Sequence, residues 1–106
     1  MTPESVVLRA AARRDVDEAI THYLKEAGSQ VVLGFIEALQ EAFGHIADNP
    51  RSGSHRHGHE VNLPGLRSRP LRGYPHLAFY MTGHNRIDFW RILHDRRDVP
   101  EWLRDS

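Results

Sequence analysis

Cysteine is absent from this sequence of 106 residues and 12.2 kDa. That excludes a disulfide framework, zinc–thiolate and iron–sulfur sites, and a thiol nucleophile. Lysine is nearly absent: Lys25 stands alone among fourteen cationic side chains, and the other thirteen are arginine. An excess of charge of either sign is also missing, with fourteen Lys+Arg against fourteen Asp+Glu. A free-standing nucleic-acid binder ordinarily carries a basic excess, so direct sequence-specific DNA binding by this chain alone is not expected. No apolar run approaches the roughly 18–20 residues that cross a bilayer. The opening MTPESVVLRA lacks the pattern of a signal peptide. The length suits one domain spanning residues 1–106, expected to be cytoplasmic and without membrane contact.

The two halves differ where the total does not. Residues 1–48 carry four cations against eight anions, and residues 49–106 carry ten arginines against six anions. Arginine offers a flat, multi-donor fork suited to fixed carboxylate or phosphate contacts. The second half is therefore where a charged partner is sought, although ordinary surface salt bridges explain such a bias equally well.

Ser5–Arg9 is a short β-branched run and predicts an opening strand. Val16, Ala19, Ile20, Tyr23, Leu24 and Ala27 then recur at helical spacing opposite a charged face of Arg13, Arg14, Asp17, Glu18 and Glu26. Gly28 is placed to end that helix and Ser29 to cap the next. The second helix carries Val32, Phe35, Ile36, Leu39, Phe43 and Ile46 on its apolar stripe and stops before Pro50. So short a connection predicts an antiparallel hairpin. Asn49–His59, rich in Gly, Ser and His, reads as a loop. Strands are predicted near Leu66–Leu71, His76–Thr82 and Arg86–Leu93. The turns between them fall at Arg72–Pro75 and Thr82–Asn85, and a helical turn follows over Asp98–Leu103. The order β-α-α-β-β-β predicts an α+β fold, with the hairpin packed on one face of a small, mainly antiparallel sheet.

Strict alternation along the last strand puts Ile87, Phe89, Arg91 and Leu93 on one face, and Asp88, Trp90, Ile92 and His94 on the other. Both faces are substantially apolar, but one hairpin covers only one of them. The second face is thus expected to receive a protein partner, unless Trp102 and Leu103 fold back over it.

Few sites stand out as chemistry. His55, His57 and His59 form an H-x-H-x-H run, but its glycines, with no obvious carboxylate except Glu60, favour a solvated loop over a metal centre. A helix-turn-helix reading fails because Ser29–Asp48 contains no cation. No phosphate-binding glycine loop, G-x-S-x-G or H-E-x-x-H occurs, and no cofactor or metal is expected. Asp15, Asp17 and Glu18 read as solvent-face capping or salt-bridge residues. What remains is a basic edge of Arg67, Arg69, Arg72, Arg91, His94, Arg96 and Arg97. A histidine with arginines could cleave RNA, the former moving protons and the latter neutralising the phosphorane. Internal pairing with Asp88, Asp95 and Asp98 would instead make the same cluster structural.

Several motifs occur in a familiar order: the amphipathic hairpin closing in Asn49-Pro50-Arg51-Ser52-Gly53, then Gly65-Leu66-Arg67-Ser68, then Tyr74 to Phe79-Tyr80. Arg91-Ile92-Leu93-His94 followed by Arg97-Asp98 completes the series. Together, over about residues 6–103, they resemble the ParE branch of the RelE/ParE superfamily of type II toxins. The resemblance implies a toxin neutralised by a cognate ParD-like antitoxin. Its ParE branch implies inhibition of DNA gyrase, in the setting of plasmid stabilisation, without a catalytic site. The RelE branch implies ribosome-dependent mRNA cleavage, for which Arg67, Arg91, His94 and Arg96 are the candidate residues. Zero net charge, a single lysine and no tyrosine after Tyr80 fit the ParE branch. Leu66, Arg67, Arg69, Tyr80, Trp90, Ile92, Arg96 and Arg97 are the expected partner contacts, with the antitoxin docking as an amphipathic helix or extended strand.

Overall fold

The opening apolar run forms β1 (Ser5–Leu8), and the chain then enters a hairpin of α1 (Ala10–Glu26) and α2 (Ser29–Asp48). The computed structural model describes residues 5–83, 85–96, 101 and 103. Gly28 makes the hairpin tight. At φ 94° it occupies the left-handed region that glycine enters without a Cβ penalty, and its N–H donates to the Tyr23 carbonyl at 2.9 Å. The same residue is also the N-cap of α2, so Ser29 is the first helical residue and not the expected cap.

The apolar stripe of α2 is buried through Phe35, Ala38, Leu39, Ala42 and Ile46. Two alanines therefore take the centre of the face, while Phe43 sits at its margin with its ring 4.2 Å from that of Phe89. On α1 the buried positions are Ala12 and Asp15. Leu24, expected on the apolar face, is 57% exposed near the hairpin tip.

After α2 the segment predicted as a loop contains a helical turn, α3 (Arg56–Glu60). The strands β2 (Arg67–Pro70), β3 (His76–Gly83) and β4 (Arg86–His94) follow. The β3–β4 turn uses Asn85 at φ 50°, and His84 lies outside the described residues. The sheet order is β1-β4-β3-β2. β4 runs antiparallel to β3 and parallel to β1, so the last strand sits between the first strand and its own hairpin mate.

Strict alternation fails in β4 because the strand carries a bulge. Phe79 pairs with Arg91 and Tyr80 with Phe89, leaving Trp90 as the extra residue. Ile92 consequently joins Ile87, Phe89, Ala78 and Tyr80 in the core under the helices. Leu93 falls on the opposite side with Phe79 and Trp90. That second face is not bare. Leu66 and Leu103 are buried against it, and Val61, Leu63, Leu77 and Met81 pack around them. α3 turns inward here, with the His57 ring 5.3 Å from Phe79 and Gly58 buried. The expectation of an open sheet face is therefore corrected: the 56–66 segment and Leu103 cover it. Glu101 and Leu103 are helical as expected, while the rest of Asp98–Leu103 lies outside the described residues.

A buried ion pair joins the layers. β1 ends at Leu8, so past Phe89 the flank of β4 has no strand beside it. Asp15 of α1 fills that place. Its Oδ2 accepts from Arg91 Nε at 2.7 Å and from the Ile92 N–H at 2.9 Å, and its Oδ1 accepts from Arg91 Nη2 at 2.8 Å. Asp15, expected on the solvent face, is 8% exposed, and Arg91 7%. Removing one member of such a pair strands the other charge in the core, a cost of about 3–5 kcal/mol. Asp15→Ala is expected to lower unfolding free energy by about that amount in urea titrations. A loss below about 1 kcal/mol, the worth of a surface pair, would contradict this role.

Candidate functional site

The basic edge anticipated from the sequence does not converge. Arg67 lies opposite Tyr80 on β3, whereas His94 lies opposite His76, four residues farther along the same strand. Arg67 is committed to the α2–α3 connection, its Nη1 donating to the carbonyls of Arg51 at 2.7 Å and Gly53 at 3.0 Å. Arg91 is held by Asp15. Arg69 is half-buried on β2 opposite Ala78. Arg72 is exposed, 3.8 Å from Glu41 in a solvated pair. Arg96 is exposed, and its backbone N–H donates to His94 Nδ1 at 3.1 Å. Arg97 lies outside the described residues.

Internal pairing accounts for part of the charge, though not with all the partners expected. Asp88 takes Arg9 at 3.1 Å and Arg86 at 3.5 Å, and Asp95 approaches His94 at 3.4 Å. Asp98 lies outside the described residues. The strongest pair, Asp15–Arg91, was missed, although the sequence held a signal for it. Asp15 stands on the apolar stripe between Ala12 and Ala19, as Arg91 stands in the apolar alternation of β4. Two lone opposite charges on two buried faces call for each other.

Of the expected partner contacts, Leu66, Tyr80 and Ile92 are inside the fold, at 0%, 0% and 2% exposure. They are core residues and present no free surface. Trp90 is half-buried at the bulge with the Arg9 guanidinium 4.1 Å from its ring centroid, a cation–π contact.

Two hollows remain. One, of about 520 Å³, opens between α1 and the ends of β3 and β4, lined by Glu18, His22, Tyr23, His76, His94 and Arg96 among others. The His76 and His94 rings meet edge to face across the strands, with centroids 5.4 Å apart. Burial, and then the neighbouring Tyr74, pushes the Tyr23 hydroxyl above its ordinary range. The other hollow, of about 450 Å³, lies at the opposite end of β3, between the 49–52 connection and Thr82–Gly83. Beside it Tyr80 donates its hydroxyl to the Pro50 carbonyl at 2.9 Å and accepts from the Gly53 N–H at 3.0 Å. Burial raises the Tyr80 pKa, with the Gly53 bond and the Arg67 charge opposing it, so the phenol stays a donor. Among the described residues no group of three or more His, Cys, Asp and Glu side chains could hold a metal ion.

A helical hairpin against a four-stranded mixed sheet defines a small α+β protein. Among solved structures, a chain of the chromosomal ParDE TA system from P. aeruginosa has a similar fold. It is 22% identical, with a TM-score of 0.70, over 86% of this chain and 95% of that one. No curated protein matches. The family model described as the ParE toxin of the type II toxin-antitoxin system, parDE, matches residues 6–99. The chain belongs to the ParE toxin family.

The covering turn α3 carries a pH dependence. Burial lowers the His57 pKa from 6.5; Glu60 opposes the shift and Arg56 adds to it. Unfolded His57 takes up a proton at a pH where the folded residue does not, so its contribution is full above pH 6.5 and is lost as pH falls toward the folded value. His57→Phe keeps a ring against Phe79 without the titration. The drop in melting temperature from about pH 7.5 to about pH 5 is expected to be smaller in that variant than in the parent. Equal drops would exclude His57 as a source.

Proposed function

We propose that this chain is the toxin of a ParDE-type pair, neutralised by a cognate ParD-like antitoxin and acting by inhibiting DNA gyrase through binding, without catalysis of its own. The observation that carries the reading is the family match over residues 6–99. The dispersal of the ribonuclease candidates supports the non-enzymatic part. Arg67 holds a loop and Arg91 a buried carboxylate, so neither is available to a phosphate beside His94. With the outer sheet face covered, partner contacts fall to the accessible members of the expected set: Arg69, Trp90 with its stacked Arg9, and Arg96. The cytoplasm is the matching location, and among the described residues no helix is long and apolar enough to cross a membrane.

One observation favours the second reading, a ribosome-dependent endoribonuclease. The α1–β4 cleft gathers His76, His94, Glu18 and Arg96, groups able to move protons and steady an anion. Purified protein added to gyrase, relaxed plasmid and ATP is expected to reduce supercoiling and to accumulate linear DNA, with ribosome-bound mRNA left intact. Unimpeded supercoiling at a large excess of protein, with mRNA cleavage that His94→Ala abolishes, would replace the first reading by the second.

A further inference from the structure

The connection between α2 and α3 is fixed far more firmly than joining two helices requires. Tyr80, fully buried, reaches it from β3 and bonds it twice, to the Pro50 carbonyl and the Gly53 N–H. Arg67 reaches it from β2 and bonds the Arg51 and Gly53 carbonyls. Ser52 closes it locally, its Oγ and N–H both donating to the Asn49 carbonyl at 2.7 and 3.0 Å. A Cβ on Gly53 would collide with the Tyr80 hydroxyl and lie 2.9 Å from the Arg67 Cβ, so only glycine fits beneath the clamp. The backbone polar groups are drawn inward while the side chain of Arg51 stays exposed.

Rigidity at an exposed loop is what lowers the ordering cost of binding. The adjoining hollow is lined by Asn49, Pro50, Arg51, Ser52, Thr82 and Gly83. That lining has one cation, three hydroxyl or amide side chains and no anion. One arginine fork with neighbouring hydroxyls matches one carboxylate. A nucleic-acid backbone presents phosphates in series and takes a row of cations, which a single arginine on a chain of zero net charge does not supply. About 450 Å³ admits one or two side chains of an extended segment.

We infer that this clamped loop is a preformed acceptor for an acidic side chain of the cognate antitoxin, with Arg51 as its contact. The inference rests on the toxin–antitoxin reading and adds to it a site remote from the α1–β4 cleft. Arg51 uses only its backbone in the clamp, so its side chain can be changed without loosening the loop.

The test is a calorimetric titration of the purified chain with the purified antitoxin encoded beside it, using Arg51→Ala, Arg51→Glu and, as a control, the exposed Arg13→Glu of α1. Arg51→Ala is expected to weaken binding about tenfold and Arg51→Glu about a hundredfold, with Arg13→Glu within about twofold of the parent. An antitoxin carboxylate changed to arginine should restore affinity for Arg51→Glu. Unchanged affinity of Arg51→Glu, at an unchanged melting temperature, overturns the inference and leaves the toxin–antitoxin reading standing. Loss of gyrase inhibition by Arg51→Glu with antitoxin affinity intact also overturns it, assigning the loop to the target. Failure of the parent chain itself to bind the antitoxin overturns the toxin–antitoxin reading, and the inference with it.

Discussion

The pairing of Asp15 with Arg91 is the constraint around which the rest is arranged. A strand that continues past its neighbour exposes backbone donors, and β4 outruns β1 beyond Phe89. A carboxylate on α1 takes the place of the missing strand by accepting the Ile92 N–H, and the arginine beside it supplies the countercharge. Burying the two charges is costly, and an apolar pair of similar volume would often match it in stability. What the pair adds is geometry: α1 is held over the end of β4 in one position. Packing of the small Ala12, Ala38 and Ala42 then follows. It also removes Arg91, the buried arginine among the described residues of the basic half, from any solvent-facing chemistry.

The bulge at Trp90 is the second organising feature. By shifting one residue it turns Ile92 toward the helices and Leu93 away from them, so each side of the sheet acquires its own cluster. The outer cluster needs a cover, and the short helix with its following loop provides it. Each face of the sheet is thus closed by the chain's own residues.

The sequence made the hairpin and the succession of elements along the chain legible because both rest on periodicity and punctuation: the stripes of the two helices, Gly28, Pro50 and Asn85. It did not reveal the bulge, because alternation contains no mark for a skipped residue. Nor did it reveal α3, whose histidines and glycine suggest solvent until Phe79 and Leu66 are seen to need a lid. Leu66, Tyr80 and Ile92 were expected as contacts because hydrophobicity alone does not separate a docking surface from a core. The Tyr80 hydroxyl bridging Pro50 and Gly53 links residues about thirty apart, and no local pattern encodes that.

The place of β4 in the sheet has a consequence for synthesis. The strand made last lies between the one made first and its own hairpin mate, and both the Ser5–Arg86 register and the Asp15–Arg91 pair span most of the chain. An emerging chain can form the helical hairpin, but neither the sheet nor the buried ion pair can close while the final strand is still inside the ribosome. Contacts so distant in sequence also make closure slow once the chain is free.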